Sequence, residues 1–183
     1  MFAQYQEFDY PNSSKLNSEL YEIVLQNLNR PVMGGGSRTE FALHTKGIKE
    51  VDTLLSWIRS ILPNVAVEFA NRGEDIPLIP TDVGFNINSF IIDSCWGIKY
   101  NKGQRVVKHN HFPYSMAYVY CVNAPHKSSP FIIEGERIPS IPGRVIFFLP
   151  HQYHGTLPSK VDGRCMLVGN ILYTPPVATF GGR

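Results

Sequence analysis

Three histidines, His109, His111 and His154, have the residue type and the placement that a metal site needs. In an extended strand, side chains two positions apart point to the same face, so the imidazoles of His109 and His111 can converge on one ion. A lone HxH pair is more often two surface or hydrogen-bonded histidines, because histidine is commonly only partly buried. The pair therefore predicts a metal site only if another part of the chain supplies a third ligand.

The third ligand is expected just after an apolar strand predicted over 143–148. That strand ends at Pro150, and two histidines follow it, His151 and His154. Only one of them needs to point inward, and the local pattern alone does not choose between them. A turn signal at 101–103 precedes the HxH pair, which places the pair between two predicted strands.

Arg164 opens a further predicted strand, ten positions beyond His154. Strand alternation puts Met166, Val168 and Asn170 on the same face as Arg164. A cation on the wall of a barrel requires an anionic partner. The arginine therefore predicts that an anion binds near the histidines.

The elements that position these side chains are predicted to be short strands with Gly and Pro between them. Many short strands separated by turns predict a sandwich or a jelly roll. The runs with β-type sequence are 86–100, 105–109, 115–122, 131–133, 144–148 and 164–173.

Residues before about 86 are predicted to be helical. Ser14 can cap a helix that continues to Leu28, with apolar positions three and four apart. A second helix is predicted from Ile48 to Leu62, with Pro63 ending it. The stretch 70–81, rich in Gly and Pro, is expected to be a loop between the helical part and the barrel.

Composition favours one domain and a protein of the cytosol. The chain has 183 residues, 43% of them hydrophobic, with 17% charged residues and a net charge of +2. We expect a single domain over 1–183, with helices and a loop over 1–85 and the barrel over 86–175. Nucleic acid is not the expected partner, and neither a secretion signal nor a membrane segment is expected. Oligomeric state is not predicted.

The three cysteines are Cys95, Cys121 and Cys165. Their odd number and wide spacing make a disulfide framework or a CxxC zinc site improbable. We expect buried free thiols.

Residues 96–173, under half of the chain, resemble the Fe(II)- and 2-oxoglutarate-dependent oxygenases. Within that family they are similar to small oxygenases that have HxH in place of the usual HxD. The stretch reads W-x3-Y-x2-G from Trp96, then HNHFPYSMAYVYCV, FFLPHQYHGTLP and GRCMLVGNI. The resemblance implies a double-stranded β-helix, the jelly-roll or cupin-like barrel, with N-terminal helices packed on it.

The resemblance also implies roles for individual residues. It makes His109, His111 and His154 the ligands of Fe(II), and it prefers His154 to His151 because the distal histidine of the family lies four residues before a proline, here Pro158. Arg164 would bind the distal carboxylate of 2-oxoglutarate through charge-assisted hydrogen bonds.

Further residues are expected around the cosubstrate. Tyr100, Tyr118 or Tyr120 would donate a hydroxyl to the same carboxylate or form the wall of the pocket, and Asn170 would orient a ligand. For Tyr118 and Tyr120, a place in the core is an equally good interpretation. The implied reaction is hydroxylation of an unknown substrate, a small molecule or a protein side chain.

One departure from the family pattern is His111, which stands where most members have Asp or Glu. A neutral imidazole removes one negative charge from the site and leaves the iron more cationic. Glu134 and Glu136 lie between the predicted ligand strands, but no spacing argument selects either as a substitute.

Two other hypotheses compete with the oxygenase. Gly103 followed by His109 and His111 also fits a cupin-like metalloprotein that does not use 2-oxoglutarate, although the glutamate expected soon after the HxH is absent. The other hypothesis is a jelly-roll binding or structural protein without activity, because fold alone does not confer one.

Overall fold

The computed structural model describes residues 3–72 and 89–174, which form two antiparallel β-sheets and two long helices. The helices are α1 (Ser13–Asn27) and α2 (Lys49–Asn71), with a short 3-10 helix at Leu43–Thr45. The strands, in chain order, are β1 (Tyr5–Asp9), β2 (Arg30–Pro31), β3 (Ser37–Arg38), β4 (Phe90–Tyr100), β5 (Met116–Asn123), β6 (Phe131–Ile133), β7 (Glu136–Ile138), β8 (Arg144–Phe148), β9 (His154–Thr156) and β10 (Arg164–Tyr173).

The larger sheet has seven strands in the order β1-β8-β5-β10-β4-β3-β2. Its centre is β10, which pairs antiparallel with β5 on one side and with β4 on the other. The register places Arg164 opposite Tyr100 and Asn170 opposite Ser94. Because residues opposite each other share a face, the two side chains of each pair lie on the same side of the sheet.

The smaller sheet has the order β7-β6-β9. Its hairpin between β6 and β7 turns through Glu134 and Gly135, both with positive φ, as a tight two-residue hairpin turn requires. This turn occupies Glu134 and leaves Glu136 bonded to the hydroxyl of Tyr5, away from the histidines. Neither glutamate replaces a histidine as a ligand.

Two separate apolar cores lie on opposite faces of the larger sheet. The outer core lies between this sheet and the helices, with Leu20, Leu55 and Phe69 fully or almost fully buried. The inner core lies between the two sheets and includes Ile98 and Phe148. The central strands are therefore covered on both faces, which explains their nearly continuous apolar sequence.

The predicted mainly β fold with N-terminal helices is confirmed, but two predicted helix boundaries are wrong. Helix α1 begins at Ser13 after Asn12, so Ser14 is not its cap. Helix α2 continues eight residues past Pro63, to Asn71. Beyond the proline, Val65 and Phe69 are fully buried, and this packing outweighs the hydrogen bond that proline removes.

Three strands of the first part escaped sequence analysis. β1 pairs along its whole length with β8, and β2 and β3 extend the sheet beyond β4. The predicted strand at 105–109 is instead extended chain with isolated bridges, at Arg105 and at His109. Of the loop expected over 70–81, residues 70 and 71 belong to α2, and the part from 73 lies outside the described residues.

Candidate metal centre and anion site

The imidazoles of His109, His111 and His154 meet at one point on the inner face. One potential ligand atom from each lies within 4.8 Å of the others. The Nε2 atoms of His111 and His154 are 3.1 Å apart, and the ring centroids of His109 and His154 are 4.4 Å apart. His151 is not part of this group, so the geometry agrees with the preference for His154.

Backbone pairing holds two of these histidines in place. The N–H of His109 donates to the carbonyl of His154 at 3.0 Å, and the N–H of His154 donates to the carbonyl of His109 at 2.8 Å. The N–H of His111 donates to the carbonyl of Pro150 at 2.8 Å. The imidazoles of His109 and His111 thus converge as predicted, although residues 109–111 do not form a regular strand.

In His109 and His154 the other ring nitrogen, Nδ1, also forms a hydrogen bond. Nδ1 of His109 donates to the carbonyl of Val107 at 2.9 Å, and Nδ1 of His154 donates to the carbonyl of Gln152 at 3.1 Å. A carbonyl only accepts, so the proton is on Nδ1 and the lone pair of Nε2 is available. This is the arrangement in which backbone carbonyls orient metal-binding imidazoles.

Burial keeps the imidazoles of His111 and His154 neutral. Desolvation lowers the pKa of His111 to about 4 and lowers the pKa of His154 far below its ordinary value; the neighbouring histidines act in the same direction. Neutral imidazole is the form that binds a metal. Metal–nitrogen bonds of about 2.0 to 2.1 Å at right angles place two nitrogens about 3.0 Å apart, close to the His111–His154 separation. The residues therefore fit a mononuclear transition metal.

Arg164 is a buried cation on the same inner face. It is 1% exposed, and burial lowers its pKa, although arginine stays charged in proteins. Nη2 and Nε donate to the hydroxyl of Ser140 at 3.1 and 3.4 Å. Among the described residues no carboxylate lies within ion-pair distance of Arg164.

Tyr100 is the nearest aromatic neighbour of Arg164. The guanidinium carbon lies 5.1 Å from the centroid of the Tyr100 ring, and the side chain of Tyr100 is 3% exposed. Burial raises the pKa of Tyr100, so its hydroxyl is a donor at neutral pH. Tyr100 thus lies beside Arg164 and lines the same cavity.

Tyr118 and Tyr120 both pack in the outer core, which is one of the two positions that the sequence left open. Both rings belong to the outer core beneath the helices, and the hydroxyl of Tyr120 donates to Asn17 Oδ1 at 2.7 Å. Tyr118 borders the pocket wall, but its ring packs 6.4 Å from that of Phe147. The interpretation of these two tyrosines as core aromatics is the one that the structure favours.

Asn170 lies on the inner face, near His111. Its Nδ2 donates to Ser94 Oγ at 3.0 Å, whereas its buried Oδ1 has no formed hydrogen bond among the described residues. The nearby amide of Asn170 raises the pKa of His111, whereas the larger effect of burial lowers it. Asn170 is thus placed to orient His111.

One cavity connects the histidines with the arginine. It has about 400 Å³ of space between atoms, including its open mouth. Its walls are mostly apolar or aromatic, and none of the lining residues is Asp or Glu. The lining residues are Trp96, Ile98, Tyr100, Val106, His109, His111, Tyr118, Val119, Phe131, His154, Thr156, Arg164, Met166 and Val168.

Sequence analysis missed several residues of this site. Ser140, the hydrogen-bond partner of Arg164, precedes β8 in a loop and gives no pattern in the sequence. Trp96 was noted in a motif but given no role, although it borders the cavity beside His111. The cysteines agree with expectation, since all three are free and buried.

Comparison with known proteins identifies the fold. No family model and no curated protein matches the sequence. The viral collagen prolyl hydroxylase of Paramecium Bursaria Chlorella virus-1, solved with 2-oxoglutarate, is similar with a TM-score of 0.68 and 14% identity, covering 91% of this chain and 94% of that one.

Two further solved structures are similar. A prolyl-4-hydroxylase of Pseudomonas putida has a TM-score of 0.65 at 15% identity and covers 94% of both chains. The epimerase SnoN, solved with Fe3+, alpha ketoglutarate and nogalamycin RO, has a TM-score of 0.65 at 11% identity, covering 99% of this chain and 88% of that one.

These likenesses confirm the predicted fold, a double-stranded β-helix with N-terminal helices packed on its larger sheet. The fold is the one found in structures of Fe(II)- and 2-oxoglutarate-dependent oxygenases. No helix among the described residues is long and apolar enough to cross a bilayer.

Proposed function

We propose that this protein is a non-haem iron oxygenase that uses 2-oxoglutarate as cosubstrate and hydroxylates an organic substrate. His109, His111 and His154 would hold Fe(II), and Arg164 would bind 2-oxoglutarate. The fold and the free lone pairs of the histidines support the iron. The buried Arg164 supports the cosubstrate and is the observation that carries the proposal.

Arg164 carries it because a buried charge without a counterion is unfavourable. Taking an ion out of water costs several kcal/mol, at least about 3, when no partner compensates it. The hydroxyl of Ser140 and the ring of Tyr100 compensate only part of this cost. A planar guanidinium at the wall of a cavity can bind a carboxylate through two parallel hydrogen bonds, in a bidentate arrangement. A dicarboxylic acid that reaches from the metal to Arg164 supplies the missing anion.

The other residues then have defined tasks. Tyr100 donates its hydroxyl to the distal carboxylate, and Asn170 keeps the ring of His111 in position. The apolar walls from Val119, Phe131 and Val168 exclude water from the cavity. Bound Fe(II) would supply the oxidative chemistry, in which one oxygen atom of dioxygen would enter succinate as 2-oxoglutarate loses carbon dioxide and the other would enter a hydroxyl group of the substrate.

The substrate is proposed only as a class. Two of the similar structures are named prolyl hydroxylases and one is named an epimerase, so protein side chains and small molecules both suit this fold. Net charge of +2 gives no support to nucleic acid as a substrate. We place the protein in the cytoplasm and treat 1–183 as one domain.

The test is anaerobic binding of Fe(II) followed by titration with 2-oxoglutarate. The expected result is the weak visible charge-transfer band of a chelated 2-oxoacid. Arg164→Met should bind Fe(II) as the wild type does but require much more 2-oxoglutarate to develop the band. Arg137→Met, at an exposed position of β7, is the matched control and should behave as the wild type.

Each alternative has its own outcome. Metal uptake without the band indicates a cupin-like metalloprotein that does not use 2-oxoglutarate. No metal uptake indicates a binding or structural protein. If Arg164→Met does not fold, Arg164→Lys keeps the charge but loses the two-pronged geometry, and an unchanged affinity for 2-oxoglutarate in that variant contradicts the role given to the guanidinium.

A further inference from the structure

A second guanidinium lies at the edge of the same sheet face. Arg38 in β3 is opposite Ile98 in β4, and the two strands are antiparallel. Residues opposite each other point to the same face, and Ile98 lines the cavity. Arg38 is therefore on the inner face, at the edge next to the cavity, and its side chain is half-buried.

Aromatic rings connect Arg38 to the histidines. Its guanidinium carbon lies 3.8 Å from the centroid of the Phe41 ring, and Phe41 meets Trp96 edge to face at 4.8 Å. The Trp96 ring lies 6.1 Å from that of His111. Phe41 is 49% exposed, so part of its ring is open to a ligand. A cation and an open aromatic surface thus lie beside the metal ligands.

Arg38 has an unused charge. Its Nη1 donates to the carbonyl of Thr39 at 2.8 Å, but no carboxylate among the described residues pairs with it. Arg30, from the neighbouring strand β2, differs because it forms an ion pair with Glu40 at 2.9 Å. Of these two arginines, Arg38 is therefore the one whose guanidinium is available to a ligand.

The charge of the cavity also favours an anion. No acidic residue lines it, and the three proposed ligands are histidines rather than carboxylates. A divalent ion and Arg164 bring three positive charges, and 2-oxoglutarate returns two negative ones. One positive charge is left over, and Arg38 adds another at the edge. In a cavity of low dielectric constant, uncompensated charge of this kind strengthens binding of a further anion.

We propose that the prime substrate is an organic anion, with its acidic group on Arg38 and its apolar body against Phe41 and Trp96. A carboxylate and a phosphate monoester have the shared chemistry that a guanidinium recognises. The inference rests on the proposed function and names the substrate class of that site. The carbon to be oxidised lies between the acidic group and the histidines.

The test measures binding without turnover. Protein loaded with Zn(II) and 2-oxoglutarate is titrated calorimetrically with phenylalkanoic acids that have from one to four methylenes, with their primary amides, and with the corresponding phenylalkyl phosphates. The best acid should bind at least about tenfold more tightly than its amide, equivalent to about 1.4 kcal/mol. The phosphates decide which acidic group is preferred.

Variants assign the effect to one residue. Arg38→Gln should lose most of the preference for acid over amide and keep only what the surplus charge at the metal contributes, while Arg30→Gln, the matched control, should keep the wild-type preference. Phe41→Ala should weaken acid and amide by the same factor, because it removes apolar contact only. The proposal is overturned by equal binding of acid and amide to the wild type, by a preference that is undiminished in Arg38→Gln, or by failure of every probe to bind.

Failure of this proposal is distinguishable from failure of the proposed function. Arg38→Gln should leave the affinity for 2-oxoglutarate unchanged, since that ligand is assigned to Arg164. In Arg164→Met protein without 2-oxoglutarate, the preference for acid over amide should remain. A wild type that does not bind 2-oxoglutarate but keeps an acid preference that depends on Arg38 would refute the oxygenase and retain the anion site.

Discussion

The Nε2 atoms of His111 and His154 lie 3.1 Å apart although 43 positions separate the two residues in the chain. Nδ1 of His154 is committed to the carbonyl of Gln152, so its Nε2 has a lone pair directed toward His111. Nε2–H of His111 can donate to this lone pair at that distance, and a cation can take the place of the shared proton. A metal ion satisfies both nitrogens and His109 at once.

Replacing His154 by Ala should remove most of the metal affinity. One of three ligands is lost, and loss of even an outer partner of a metal ligand typically costs about 10- to 100-fold, so we expect a decrease beyond about 100-fold. The measurement is a titration with Co(II), followed by its visible absorption. His151→Ala should titrate as the wild type, and a loss of affinity there would mean that the wrong histidine had been chosen.

The roles of Tyr100 and Tyr118, which both line the cavity, can be distinguished by removing one hydroxyl at a time. Tyr100→Phe should weaken 2-oxoglutarate binding several-fold, because a donor beside Arg164 is lost. Tyr118→Phe should leave that affinity unchanged, since the Tyr118 ring packs in the outer core. Anaerobic titration of the Fe(II) protein measures both. A larger loss of 2-oxoglutarate affinity in Tyr118→Phe than in Tyr100→Phe would mean that Tyr118 is the hydroxyl donor to the carboxylate.

Ser140→Ala should destabilise the fold and loosen the arginine. The Ser140 hydroxyl accepts from the buried guanidinium and donates to the carbonyl of Ser129 at 3.1 Å. Removing one partner of a buried charged group costs about 1 to 3 kcal/mol. Urea unfolding measures the change. Ser60→Ala on the exposed side of α2 is the control and should change the free energy of unfolding by less than about 0.5 kcal/mol.

Gly97 allows α1 to approach the sheet. A Cβ atom at this position would lie 2.5 Å from Val24 Cγ2 and 2.8 Å from Cγ1, well inside van der Waals contact. Gly97→Ala should therefore cost about 1 to 3 kcal/mol of unfolding free energy. Val24→Ala should cost less in the Gly97→Ala background than in the wild type, because it removes both clashing atoms. Additive costs in this double-mutant cycle would contradict the packing described.

Pro63 lies inside α2 and is partly exposed. Proline in a helix interior removes a hydrogen bond and costs about 3 kcal/mol relative to alanine. Pro63→Ala should raise the free energy of unfolding by about 1 to 3 kcal/mol in urea titration, with Asn64→Ala at the neighbouring exposed position as control. Destabilisation would show that the proline ring contributes packing that its exposure does not suggest.

The site residues were predictable where chemistry is local. His109, His111 and Arg164 stand out because their types and spacing are unusual in an apolar strand region. The face of Tyr118 was not predictable, because β5 is covered on both sides and its apolar sequence conceals the alternation. The partnership of Arg164 with Ser140 depends on the return of a distant loop, which no local pattern encodes.

The fold was predictable in class but not at its edges. Turn residues between apolar runs revealed the central strands, since β4, β5, β8 and β10 are bounded by Gly, Pro and Asn. β1 is a short edge strand with the sequence YQEFD, whose polar residues hide its pairing with β8. Pro63 led to a wrong prediction of the end of α2, because the burial of the residues that follow it decides where the helix ends.

The mutual hydrogen bonds between the backbones of His109 and His154 have a consequence for folding. They close a loop of more than forty residues by main-chain contacts alone, so the geometry for an ion is assembled before any ion arrives. A bound cation would then join these distant segments and favour the native chain by mass action, because the denatured chain does not hold the three histidines together. Thermal resistance of the protein should consequently rise with metal concentration.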